Sequence, residues 1–233
     1  VENNPAILWL NLPVFSIVFF LALKLSNTKI GDYIQIKPVS TIFILSVILS
    51  FIGSMIIVSE VANLVYYMFP VPEEFIEMMD SVDSNVLGLL AAVIVAPLTE
   101  EFFFRGLILR GLINNYSIRY SIIISAFLFG AMHMNIWQMI PAILLGLYFG
   151  WVYLLSGNIW VVLILHAVQN ISSYLLEMKE VYIPGMIYPI ADGVQFQSIW
   201  LDLFGAALFI LGYLLLKNYE LANSPIQNIE IKK

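Results

Sequence analysis

The chain has 233 residues, 61% hydrophobic and only 11% charged, with a formal net charge of −6 and no cysteine. Soluble domains carry about 25% charged residues, so with a mean hydropathy of +0.92 this chain reads as a polytopic all-α membrane bundle, one integral domain over 1–233. The missing cysteines exclude a disulfide framework and thiolate catalysis, and no nucleic-acid partner is expected.

A spanning helix needs about 20 mostly apolar residues at about 1.5 Å each. The first candidate is Ala6 to Leu25. It lacks a basic leading region and a small-residue cleavage site, so it reads as a retained helix rather than a signal peptide. The second runs from Val39 to Ser59 and extends past Glu60 towards Phe69. An acidic segment, Pro72 to Ser84, follows with Glu73, Glu74, Glu77, Asp80 and Asp83; its interspersed Phe75, Ile76, Met78 and Met79 fit a short helix on the membrane surface. The third span is Asn85 to Leu112, bent at Pro97. The remaining four are Ile118 to about Met134, Trp137 to Leu155, Ile159 to Leu176, and Gln197 to Leu216. The links at Asn135-Ile136 and Ser156-Gly157-Asn158 are so short that spans four, five and six are antiparallel neighbours.

Lysine and arginine placement orients such a bundle. With seven spans, one side collects Lys24, Lys29, Lys37, Arg110, Arg119, Lys217, Lys232 and Lys233, and the other only Lys179. This predicts the N-terminus outside, the C-terminus in the cytoplasm, and the acidic segment outside.

The third span carries Pro97-Leu98-Thr99-Glu100-Glu101-Phe102-Phe103-Phe104-Arg105. A charged group at the centre of a membrane helix costs about 2.5–3.5 kcal/mol even on the gentlest scale, so this cluster marks a functional site before it marks packing. The bland reading is an ion pair that locks two helices. Glu101 and Arg105 are four apart and can pair. Glu100 is turned about 100° from Glu101 and is free to face another direction. Phe102 to Phe104 read as packing or lipid-facing groups.

Two further spans hold polar groups at matching depth. Span four ends in Phe129-Gly130-Ala131-Met132-His133, and span six carries His166-Ala167-Val168-Gln169-Asn170, with His166 and Asn170 on one face. Counted from the cytoplasmic helix ends, Glu100 lies about 18 Å deep, His133 about 22 Å, His166 about 10 Å and Asn170 about 16 Å. They therefore converge in the middle-to-cytoplasmic part of the bundle. A carboxylate beside an imidazole can hold a water and take its proton, and a second imidazole with an amide can donate to an oxyanion. No G-x-S-x-G turn and no cysteine offers another nucleophile. A zinc ion held by Glu100, His133 and His166 is chemically sensible, but no H-E-x-x-H demands one. Taken singly, His133 also reads as an interfacial anchor, and His166 with Asn170 as an interhelical hydrogen-bond pair.

Glu100-Glu101-x-x-x-Arg105, Phe129-x-x-x-His133 and His166-x-x-x-Asn170, in this order on successive hydrophobic segments, resemble the CPBP (Abi) family. That family includes type II CAAX prenyl endopeptidases, bacteriocin-processing and self-immunity proteins, and lysostaphin-resistance-like proteins. The resemblance covers Val86 to Ser173, read as the catalytic core over 86–173. It implies an intramembrane endopeptidase with a cavity open to the cytoplasm, acting on a peptide or protein at the bilayer, such as a CAAX-type or peptide-precursor substrate. It assigns water activation to Glu100 and His133, and oxyanion stabilisation to His166 and Asn170. The candidate set is Glu100, Glu101, His133, His166 and Asn170, with Arg105 in a structural ion pair. Family members are often labelled metalloproteases, so zinc is an open cofactor. The competing reading is a non-catalytic immunity or adaptor protein, or a small proton-coupled transporter; the lack of internal repeats disfavours the transporter.

Overall fold

A computed structural model of the chain describes residues 11–26, 37–76, 86–177, 183–186 and 193–223. Among these residues there is no strand, and seven helices follow one another: α1 (Asn11–Ser26), α2 (Thr41–Met68), α3 (Val86–Ile113), α4 (Ile118–Ala131), α5 (Ile136–Ser156), α6 (Ile159–Glu177) and α7 (Ile199–Asn223). Five of them, α2, α3, α5, α6 and α7, are long and apolar enough to cross a membrane. The expected seven spans are thus matched in position by seven helices, but α4 has only 14 residues and α1 is described over 16. The start of the first expected span, the acids Glu77, Asp80 and Asp83, and Lys29, Lys179, Lys232 and Lys233 lie outside the described residues. Of the expected surface helix, one helical turn over 73–76 is described.

Local signals set the helix ends. Ser40 caps α2, its Oγ accepting from Phe43 N at 3.2 Å, and Ser117 does the same for α4. Asn135 caps α5 through Oδ1, which accepts from Gln138 N at 2.8 Å. That cap ends α4 at Ala131, earlier than the expected Met134, because the chain must leave the helix to place Asn135. Met134 takes φ 54° in the resulting turn. Gly157, at φ 60°, closes α5 in the left-handed conformation that favours glycine.

The core joins Phe43, Phe51, Tyr148, Phe149, Val152 and Leu216, from α2, α5 and α7, with further residues of α3 and α6. Glycine lets α2 and α7 touch backbone to backbone: a Cβ on Gly212 would meet the Ser50 backbone N. Exposed apolar residues such as Ile42, Leu45, Ile48 and Ile52 on α2 and Leu203, Ile210 and Leu214 on α7 form the outer surface, as a bilayer solvent allows.

Candidate active site

The third helix is not a plain α-helix. Two stretches of wide, five-residue turns, Ala91–Val95 and Phe102–Leu109, flank the short α-helical piece Ala96–Glu101. In the first stretch the Ala96 N–H reaches back five residues to Ala91 O. The next bond of that register would need an N–H at Pro97, which has none. The Ala92 carbonyl is therefore without a donor from its own ladder, and Asn170 Nδ2 of α6 supplies one at 2.7 Å. An unpaired carbonyl in an apolar surround is unfavourable, so the Pro97–Ala92–Asn170 arrangement ties α6 to α3 about two turns before the glutamates. The expected bend at Pro97 is thus taken up by wide turns.

Glu101 and Arg105 are fully buried, at 0% and 1% exposure. Arg105 Nη1 donates to Glu101 Oε1 at 2.9 Å, and Nη2 donates to Gly146 O of α5 at 3.3 Å. The guanidinium sits 4.6 Å from the centre of the Phe129 ring and 5.5 Å from that of Phe149, an attractive placement for a desolvated cation. The expected ion pair is present, and its charge faces two aromatic rings that also touch histidine.

His166 lies between the two carboxylates. Its Nδ1 is 2.8 Å from Glu101 Oε1, and its Nε2 is 3.8 Å from Glu100 Oε2. A carboxylate only accepts, so Nδ1 carries the hydrogen and Nε2 is turned to Glu100. Glu100 and Glu101, expected to point in different directions, do leave the helix apart but meet the same imidazole from its two edges. His133 Nδ1 is 3.1 Å from Phe129 O, which by the same logic leaves the neutral ring's Nε2 as an acceptor. Glu100 stands within electrostatic reach of both histidines. Phe129 packs its ring against both, with centroids 5.5 Å from His133 and 5.8 Å from His166.

His133, His166 and Asn170 line one cavity of about 220 Å³. Met55, Ser59, Ala62 and Tyr66 of α2 form one wall, and Trp137, Pro141 and Leu145 of α5 another. Gln169 and Ser173 of α6 and Met186 of the segment 183–186 complete it. The Met186 wall is held by its neighbour: Gly185 O accepts from Asn63 Nδ2 at 2.6 Å, from Ser59 Oγ at 3.4 Å and from Gln197 Nε2 at 3.5 Å. Glu60 Oε2 braces the same seam, accepting from Asn63 Nδ2 at 2.8 Å and from Gln197 N at 3.0 Å. Sequence reasoning missed this seam and the Phe149 and Gly146 contacts of Arg105. The signal for the seam was there in Glu60 and Asn63, three apart on an otherwise apolar span.

The structure therefore joins Glu100, Glu101 and Arg105 of α3 to His166 of α6, and puts His133, His166 and Asn170 on one cavity whose lining does not include either glutamate. It also sets two expectations against each other. The cavity runs from His166 to the end of the bundle formed by the α4–α5 turn and the close of α2, while Lys37, Arg110, Arg119 and Lys217 lie at the other end. A cytoplasmic positive end and a cytoplasmic cavity do not go together.

For zinc, the histidines have the usual outer support, each Nδ1 engaging a carboxylate or a backbone carbonyl. Among the described residues, however, no three acidic or histidine side chains are gathered closely enough to hold a metal ion. The set does not fit a metal as placed.

Comparison with known proteins agrees with the motif reading. Residues 82–172 match the family model described as type II CAAX prenyl endopeptidase Rce1-like. A relative in Bacillus subtilis (strain 168), named "Putative membrane peptidase YdiL", is 23% identical over 148 residues, covering 62% of this chain and 57% of the relative. The chain thus spans little more than half the length of that relative. No solved structure matches significantly.

Proposed function

We propose, from the endopeptidase-like match over 82–172, that the chain is an intramembrane endopeptidase that hydrolyses a peptide bond of a membrane-associated substrate. The observation that carries this reading is His166 held between two buried carboxylates, on the same cavity as His133 and Asn170. Glu100, with the free Nε2 of His133, takes a proton from water as its oxygen attacks the substrate carbonyl. The second amide hydrogen of Asn170 donates to the oxyanion, and so does His166 Nε2 once it shares the proton that Glu100 has taken from water. The C–N bond then breaks as Glu100 returns its proton to the leaving amine.

Glu101 acts one layer back. It accepts from Arg105 and His166 on the same oxygen and so fixes the imidazole's orientation. Candidate substrates are CAAX-type tails or the precursors of bacteriocins and other peptides.

The test is a peptidase assay in detergent on prenylated and unprenylated peptides, wild type against Glu100→Gln. Cleavage by wild type and none by the variant supports the reading. Equal cleavage by both would sink it and favour a non-catalytic immunity or adaptor role.

A further inference from the structure

The two ends of the bundle differ in charge, and the cavity lies wholly towards one of them. One end is defined by three ties. Asn158 Nδ2, in the α5–α6 link, donates to Lys37 O at 2.8 Å. The Phe43 ring at the start of α2 lies 5.0 Å from Tyr219 near the close of α7. A Cβ on Gly150 would touch Ile122 of α4 and Leu109 of α3, which puts the Arg110–Arg119 stretch at this end too. The other end is defined by Trp137, whose Nε1 donates to Phe69 O at 2.7 Å and whose ring lies 4.9 Å from Phe75. The segment before α7 joins it through Tyr67 and Phe196, with centroids 5.7 Å apart.

Setting α1 aside, all described Lys and Arg residues outside the buried ion pair, namely Lys37, Arg110, Arg119 and Lys217, fall at the first end. The second end carries Glu60, Glu73 and Glu74 and no described Lys or Arg. Positive charge near the span ends is retained in the cytoplasm, so the first end is cytoplasmic. No cavity residue lies near it. The lining of α2 comes from Met55 to Tyr66, past the middle of Thr41–Met68, and that of α6 from His166 to Leu176. Trp137, Ser173 and Met186 stand at the second end.

We propose that the catalytic cavity opens on the non-cytoplasmic face of the membrane and takes a peptide segment presented there, which narrows the two candidate substrate classes to peptide precursors and removes cytoplasmic CAAX-type tails. The substrate clause rests on the endopeptidase reading; the side of the opening does not. The exposed Glu73 and Glu74 at the rim favour a neutral or basic peptide, since a charged mouth raises the local concentration of the opposite charge.

The chain has no cysteine, so single-cysteine variants of the full chain report cleanly in cells. Glu73→Cys and Ser173→Cys, both at exposed positions on the cavity side, should react with a membrane-impermeant maleimide in intact cells as fully as after permeabilisation. Asn115→Cys, exposed in the α3–α4 link, should react only after permeabilisation. The reverse pattern would overturn the proposal, and so would Glu73→Cys labelling while Ser173→Cys stays protected. Labelling reads no turnover. A chain that labels as expected but cleaves nothing would refute the endopeptidase reading and leave the side of the opening standing.

Discussion

Replacing Arg105 by alanine takes the only guanidinium from a site where Glu101 is 0% exposed. Breaking a buried pair by removing one partner costs about 3–5 kcal/mol, because the remaining charge is left uncompensated. Loss of the placement over Phe129, 4.6 Å away, adds roughly 0.5–2 kcal/mol. Against this, His166 Nδ1 still donates to the same Glu101 oxygen, so we expect the low end, about 3 kcal/mol, or roughly a hundredfold in the folding equilibrium. The assay is folded yield by size-exclusion chromatography together with thermal unfolding in detergent, set beside Arg105→Lys. Lysine keeps the charge but loses the planar fork that reaches both Glu101 and Gly146 O, and should fall between. Wild-type yield and melting temperature in Arg105→Ala would refute the assignment of Arg105 as the charge that holds Glu101 in the core.

Glu100→Gln and His133→Ala should each abolish turnover while folded yield stays near normal and a substrate peptide still binds, as measured by retention of a labelled peptide. His166→Ala should depress kcat by about 10²–10³-fold, the usual loss of one oxyanion donor. Asn170→Ala should show a similar loss of kcat and also lose about 1–3 kcal/mol of stability, because Ala92 O is left without its donor; a wild-type melting temperature for Asn170→Ala would dissociate Asn170 from Ala92. A chelator should leave the rate unchanged and the purified protein should contain no stoichiometric zinc by elemental analysis; inactivation that zinc reverses would show that Glu100, His133 and His166 close on a metal.

The helices and the motif residues were legible because hydropathy runs, caps and intramembrane charge are local signals. The expected bounds at Ile118, Trp137, Leu155 and Ile159 are ones that the structure repeats to within a residue. Where α4 stops was not legible from hydropathy, since Ala131, Met132 and Met134 are all apolar and only the cap at Asn135 decides. That Glu100 and Glu101 share one imidazole was not legible, because helix rotation says where a side chain leaves, not where a long one ends. Both carboxylates have the reach to meet at one ring. The brace at Gly185 joins α2 to a segment more than 120 residues away, and a carbonyl's partner at that separation has no trace in local sequence. The side on which the cavity opens needed both kinds of information: lysines from the sequence, and their placement relative to His133 and Ser173 from the fold.

The wide turns of α3 give that helix a particular sensitivity to changes of length. A residue added to or taken from Ala91–Val95 shifts the phase of everything upstream by about 100° relative to Glu100. The Ala92 carbonyl would swing away from Asn170, while the glutamates, anchored by Arg105 and His166, would stay. Exchange of one apolar side chain for another of similar volume leaves the register alone and should be tolerated along the stretch. The stretch from Ala91 to Val95 therefore behaves as a gauge of fixed count: its apolar residues can be swapped for others of similar volume, but their number cannot change.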